Sequence, residues 1–213
     1  MLRLIFPPKC TLCQTFLTKE ETDLCHHCRE NTEMFKIAKS NIPHVAHWTA
    51  LWYYKENVRK SIHRYKFGRR RHYCDVYGRL LAMKLSGHLT QGIDLIGWVP
   101  ISPLRKLKRG YDQSELLCRA VGKELGIPVV QILKKIRHTK PQSTIQGAAQ
   151  RRANIAGAYK VIAPQNFADK RILLIDDVVT TGSTVSECAK TLLYAGAREI
   201  HFAAVAASSQ DKK

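Results

Sequence analysis

The chain has 213 residues, 45% of them hydrophobic, and a formal net charge of +18 at pH 7. That length suits one ordinary domain plus a small module, and the apolar content excludes a chain disordered throughout. No apolar run reaches the roughly 20 residues of a membrane-spanning helix, and the opening Met-Leu-Arg-Leu-Ile-Phe-Pro-Pro is too short for a signal peptide, so a cytoplasmic chain is expected.

Cys10, Cys13, Cys25 and Cys28 form two Cys-x-x-Cys pairs separated by eleven residues. Each pair sets two thiolates on one side of a tight turn, and two such turns close a tetrahedron around zinc. Four cysteines this close in a cytosolic chain are seldom disulfides, and no thioredoxin-like strand–helix unit surrounds the first pair. His26 and His27 lie inside the second pair and rank below the cysteines as ligands. With all four positions taken by protein, the zinc would be structural, and so small a segment needs the metal to fold. Residues 1–40 are read as this zinc-binding module and 41–213 as a second domain, with the break at Asn41-Ile42-Pro43.

Residues 44–54 are rich in Val, Trp and Tyr and predict one or two strands. Glu56–Phe67 predicts a helix with Val58, Ile62 and Tyr65 on one face, a basic opposite face and Gly68 as its stop. Tyr73–Leu85 predicts a second helix. A strand over Asp94–Val99 ends at Pro100. Asp112 and Glu115 have capping-box spacing for a helix over Asp112–Leu125, stopped by Gly126 and Pro128. Val129–Leu133 reads as a strand, and Lys134–Tyr159 as a mobile loop with a short helix. Arg171–Ile175 is a strand. Thr184 and Glu187 suggest a second capping box, for a helix running to Ala195. Glu199–Ala206 is a final strand. Alternation of strands and helices from residue 94 implies a parallel sheet covered by helices, an α/β fold. Cys118 and Cys188 sit on or beside apolar helical stripes and read as core residues.

The most specific stretch is Ile172 to Val185. A strand apolar on both faces ends in Asp176 and Asp177, followed by Val178, Val179, Thr180, Thr181, Gly182, Ser183 and Thr184 at the start of a helix. Backbone N–H groups and hydroxyls at a helix start hold phosphate, while paired carboxylates suit sugar hydroxyls, so a phosphorylated sugar is the implied ligand at the carboxyl edge of the sheet. This stretch resembles the ribose-5-phosphate-binding signature of type I phosphoribosyltransferases. The resemblance implies that Asp176 and Asp177 hold the ribose hydroxyls of phosphoribosyl pyrophosphate (PRPP), that Val178 and residues 180–184 surround its 5′-phosphate, and that magnesium accompanies PRPP. It also implies a pyrophosphate site at the strand end Pro100-Ile101-Ser102 with Arg105 and Arg109, and Lys140 from the loop as a further catalytic cation.

Arg109-Gly110-Tyr111-Asp112-Gln113 resembles the Arg-Gly-Phe-Asn-Gln block of the ComF family, and Lys140, Gln142, Ser143, Arg151, Asn154 and Ala158 continue the likeness. The tetracysteine opening matches as well. Tyr111, Asp112 and Ile145 depart from the usual Phe, Asn and Leu, and Asp112 would bring a negative charge near the pyrophosphate. The resemblance implies a zinc module joined to a type I phosphoribosyltransferase-like domain, a role in DNA uptake during natural transformation, and partners among DNA-uptake proteins such as a helicase. The basic segment with Arg64, Lys66, Arg69, Arg70 and Arg71, interleaved with Tyr65, Phe67 and Tyr73, suits single-stranded DNA through phosphate contact and stacking. Solvated basic faces and core tyrosines would explain the same residues. A transferase moving ribose-5-phosphate to a base is the competing function, and no residue identifies an acceptor.

Overall fold

The computed structural model describes residues 7–36, 38–39, 42–86, 90–139, 145 and 147–208. After the cysteine knuckles comes α1 (His26–Asn31), then β1 (Ala38–Lys39) and β2 (His47–Tyr53). Two helices follow, α2 (Glu56–Phe67) and α3 (Tyr73–Leu85), with the bounds that their apolar spacing predicts. The remainder is β3 (Leu95–Trp98), α4 (Pro103–Arg109), α5 (Gln113–Leu125), β4 (Leu133–Lys135), α6 (Ala148–Ile155), β5 (Tyr159–Val161), β6 (Arg171–Val179), α7 (Ser183–Tyr194) and β7 (Glu199–Ala207).

Five strands form one sheet in the order β1-β2-β7-β6-β3, parallel from β2 to β3, with β1 antiparallel on the edge. Ile172 to Ile175 lie in its middle, fully buried, as a strand covered on both faces must be. One apolar core packs α2, α3 and α5 against Leu173 and Ile175. The other packs α7 and the β4–β5 hairpin against Ile172 and Leu174. The α3–α5 crossing is close: a Cβ at Gly78 would lie 2.5 Å from the Ala120 Cβ, so only glycine lets the helices approach this far.

Three local expectations are corrected. The strand expected at 129–133 contributes a single parallel bridge, Val129 to Ile96. The regular strand begins at Leu133 and pairs antiparallel with β5, away from the main sheet. Pairing with β3 is confined to the bonds that the Ile96 N–H and C=O make with Pro128 and Val130, and beyond them the Ile132 Cδ1 packs on Gly97, where a Cβ would lie only 2.6 Å away. Second, Asp112 caps α5 alone, accepting from the N–H groups of Ser114 (3.0 Å) and Glu115 (3.2 Å), while the Glu115 carboxylate turns out to Lys106 and Arg119. Third, Gly182, at φ 72°, caps α7, and the Glu187 carboxylate accepts from the Gly157 N–H at 2.7 Å. The helix therefore starts at Ser183, leaving three residues between β6 and α7.

The cysteine module shares the first core. Cys10, Leu12, Leu24, Cys25 and Cys28 are buried within it. Arg64 of α2 donates to the carbonyls of Thr11 (3.2 Å) and Leu12 (2.6 Å), and Arg79 of α3 pairs with Asp23 at 2.7 Å. Cys118 and Cys188 are buried core residues, as their stripes predict.

Candidate functional site

The four Sγ atoms of Cys10, Cys13, Cys25 and Cys28 lie within 4.8 Å of one another. Tetrahedral zinc with bonds near 2.3 Å places its sulfurs roughly 3.8 Å apart, so the donor set fits the ion. His26 and His27 are exposed on α1 and stand outside the cluster. This is a structural zinc site.

The second site is a cleft of about 1650 Å³ at the carboxyl edge of the sheet. It runs between α2, the ends of β3 and β6, α4, and the loop before α7. It exceeds the roughly 300–1,000 Å³ of an ordinary small-molecule pocket. Nine lysines and arginines line it, against the acids Glu56, Asp176 and Asp177, so its field is strongly positive.

Asp176 and Asp177 lie within β6, which runs on to Val179. Consecutive strand residues face opposite ways, and the two carboxylates find different partners. Asp176 Oδ1 accepts from the Ser114 hydroxyl at 2.7 Å and the Asp177 N–H at 2.8 Å. Burial, then the charge of Asp177, push its pKa up to about 7. Asp177 is 3% exposed; its Oδ1 pairs with Lys66 Nζ at 2.7 Å, and its Oδ2 is buried with no partner. An orphaned carboxylate oxygen costs about 1–3 kcal/mol, and the two-fold freedom of the terminal torsion lets either oxygen turn to the cleft.

The loop beyond is tightly specified. A Cβ at Gly182 would meet the Ile42 side chain at 2.8 Å, and φ there is left-handed, so both space and backbone require glycine. Thr181 and Ser183 hydroxyls pair at 2.9 Å, and the N–H groups of α7 open beside them. Val178, Thr180, Thr181, Gly182, Ser183 and Thr184 all line the cleft, as do Pro100, Ile101, Arg105 and Arg109. Ser102 does not: it is buried, with its hydroxyl 3.2 Å from His138 Nδ1. The Ile101 N–H donates to Asp112 Oδ2 at 3.0 Å. Asp112 is thus buried and spent on backbone donors, so its charge is turned away from the cleft and braces the turn after β3 against α5. Burial raises its pKa. Lys140 lies outside the described residues.

Of the cations singled out for nucleic acid, Arg64, Lys66 and Arg69 line this same cleft. Arg64 is held by the zinc module and Lys66 by Asp177. Arg71 turns to the Gly110 carbonyl at 3.0 Å and stacks over Tyr111, and Arg70 is exposed. Tyr65 and Tyr73 are core residues, leaving Phe67 exposed. Sequence reasoning missed Lys135. It is buried, with Nζ 5.1 Å from the Tyr159 ring centre, and burial followed by the charge of Arg105 bring its pKa down to about 8. The signal was strand alternation: with the strand correctly placed at 133–135, Lys135 falls on the same inward face as Leu133.

The raised Asp176 carboxyl has a testable consequence. An ordinary aspartate titrates near 3.9, so folding favours the protonated form, and the stability this provides is lost as pH rises from about 4 through about 7. Asp176→Asn is expected to melt roughly 5–10 °C above the unsubstituted protein at pH 8, with little difference at pH 4, discounted for partial exposure. Equal differences at both pH values in thermal denaturation would show that Asp176 carries no such shift.

Competence protein F of Haemophilus influenzae is 30% identical over 186 residues, covering 83% of this chain and 81% of that one. The chain belongs to the ComF family. A phosphoribosyl transferase domain family matches residues 112–213, which hold the paired acids and the loop, and a double zinc ribbon family matches residues 1–40. The DNA utilization protein YhgH of Escherichia coli O157:H7 is 35% identical over 144 residues, 65% of this chain and 62% of that protein. A purine phosphoribosyltransferase structure from Pyrococcus horikoshii aligns at 25% identity and TM-score 0.39, covering 63% of this chain and 72% of its own. The ComF chain thus joins a zinc module to a phosphoribosyltransferase-like α/β domain. Among the described residues, no helix is long and apolar enough to cross a membrane.

Proposed function

We propose that this ComF protein binds PRPP in the cleft and acts in the cytoplasm on single-stranded DNA during uptake or processing in natural transformation. The observation that carries the PRPP reading is Asp177, a buried carboxylate with one oxygen on Lys66 and the other without a donor, beside a phosphate-type loop. Sugar hydroxyls are donors of the right kind. Asp176 and Asp177 hold the ribose 2′ and 3′ hydroxyls, and the residues 180–184 with the N–H groups of α7 hold the 5′-phosphate. Arg105, Arg109 and Lys135 face the pyrophosphate, which restores the proton that burial tends to strip from Lys135. Magnesium, held largely by PRPP's own oxygens and water, supplies further charge neutralisation when bound. The names of the relatives, competence protein F and DNA utilization protein, support the DNA role. So does the basic wall formed by Arg59 and Lys60 of α2 with Arg69 just beyond it, all in the same cleft. On this reading the division falls at residue 40, with 1–40 a zinc-binding module and 41–213 the phosphoribosyltransferase-like domain.

A second reading, transfer of ribose-5-phosphate to a nitrogenous base with release of pyrophosphate, is favoured by the volume of the cleft, which leaves room for an acceptor beside PRPP. Titration of labelled single-stranded DNA at two salt concentrations, with and without magnesium-PRPP, tests the main reading. Salt-sensitive binding that responds to PRPP is expected. Absence of binding at low salt overturns the DNA role. Pyrophosphate release that needs both PRPP and a base would establish the transferase.

A further inference from the structure

Phe67 is the last residue of α2 and is 62% exposed, whereas Tyr65 two positions earlier is fully buried. Its ring lines the cleft. The Arg109 guanidinium stands 5.0 Å from the ring centre, and the His63 ring lies 4.8 Å away, tilted by 49°. The ring lies outside the buried face of α2, which consists of Val58, Ser61, Ile62 and Tyr65, and its contacts are with Arg109 and His63 at the surface. Along the same wall stand Arg59, Lys60 and Arg69.

We propose that Phe67 is a stacking platform for an unpaired base of single-stranded DNA, with Arg59, Lys60 and Arg69 on the flanking phosphates. This rests on the strand-handling reading of the cleft and specifies how the strand is held. An exposed aromatic face among cations suits a polymer whose every unit carries a π-face and a negative charge. A duplex hides its base faces within the stack, so the platform selects unpaired DNA. An acidic peptide would satisfy the cations, but its carboxylates give the ring no partner. The platform shares its cleft with Asp176 and Asp177, so a bound strand passes over the mouth of the sugar-phosphate site.

Stacking and phosphate contact separate by salt. The zinc-loaded full chain is titrated with labelled oligo(dT) and with an abasic strand of equal length, at two salt concentrations. Phe67→Ala is expected to weaken oligo(dT) binding roughly 5- to 150-fold with an unchanged salt slope, and to leave abasic binding unaltered. Phe67→Trp should keep the affinity and report oligo(dT), but not the abasic strand, by quenched emission. Arg69→Ala should instead weaken both strands and flatten the salt slope. Equal losses of Phe67→Ala on both strands, or no loss on oligo(dT), overturn the platform. If the unsubstituted protein binds neither strand, the DNA reading itself falls and the platform with it. Calorimetry with magnesium-PRPP, expected to be unchanged in Phe67→Trp, which keeps an aromatic face beneath Arg109, tells failure of the platform from damage to the sugar-phosphate site.

Discussion

Asp177→Asn is expected to lower PRPP affinity on the order of 100-fold and to lower stability at the same time, for two separable reasons. The affinity falls because hydrogen bonds from sugar hydroxyls to a charged acceptor contribute about 1.5–3 kcal/mol each, and an amide accepts more weakly and brings an N–H of its own. The stability falls because Lys66, whose side chain is 21% exposed, loses the carboxylate that pairs with it at 2.7 Å. Breaking one side of a buried pair costs about 3–5 kcal/mol, and the partial exposure of Lys66 brings that toward the lower bound or below. The double variant Lys66→Met/Asp177→Asn separates the effects: most of the lost stability should return, and the lost affinity should not. Thermal denaturation and calorimetry with magnesium-PRPP measure the two. Unimpaired affinity in Asp177→Asn would remove the acid from the sugar site, and recovery of affinity in the double variant would make its role structural only.

That pair also shows where sequence reading stops. In the sequence Lys66 is one cation of a basic helix and reads as a nucleic-acid contact, because nothing local distinguishes it from Arg69. Its partner lies 111 residues away, and only the folding of α2 over the end of β6 brings them together. Arg64 is similar: its acceptors are backbone carbonyls of the zinc knuckle, which carry no residue signal. The features that were legible have short-range causes. The bounds of α2 and α3 follow from apolar spacing and Gly68, the paired acids and glycine loop from a contiguous motif, and the zinc ligands from spacing alone. The α/β class followed from the alternation of elements. The strand expected at 129–133 pairs with β3 at one bridge only and becomes regular at Leu133 against β5, a choice of distant partners that the local residues do not signal. Lys135 was then missed because its facing could not be read until the register of that strand was known.

Removing the zinc should disturb the cleft even though no cysteine touches it. The knuckle carbonyls of Thr11 and Leu12 accept from Arg64, and the Thr11 carbonyl also accepts from Ser61. The Ser61 hydroxyl is 2.6 Å from that of Tyr77, and Gln14 donates to the Tyr73 hydroxyl at 2.8 Å. The module therefore anchors one side of α2, while Lys66 and Phe67 face the cleft. Without metal, the free energy that closes the knuckles is lost, and a segment this short has too little core of its own to replace it. Chelation, or Cys10→Ser, is expected to release one equivalent of zinc and to lower the melting temperature by roughly 8–16 °C, the shift that a loss of about 4 kcal/mol gives in a chain of this size. PRPP affinity should fall in parallel as α2 loosens and Lys66 no longer holds Asp177. Cys74→Ser, at a half-buried thiol outside the cluster, is the control and should retain both zinc and PRPP binding. Quantitative metal analysis, melting curves and calorimetry on the same samples decide the matter. Full PRPP affinity in a zinc-free protein would mean that α2 holds its place by core packing alone and that the knuckle contacts to Arg64 and Ser61 are dispensable for the cleft.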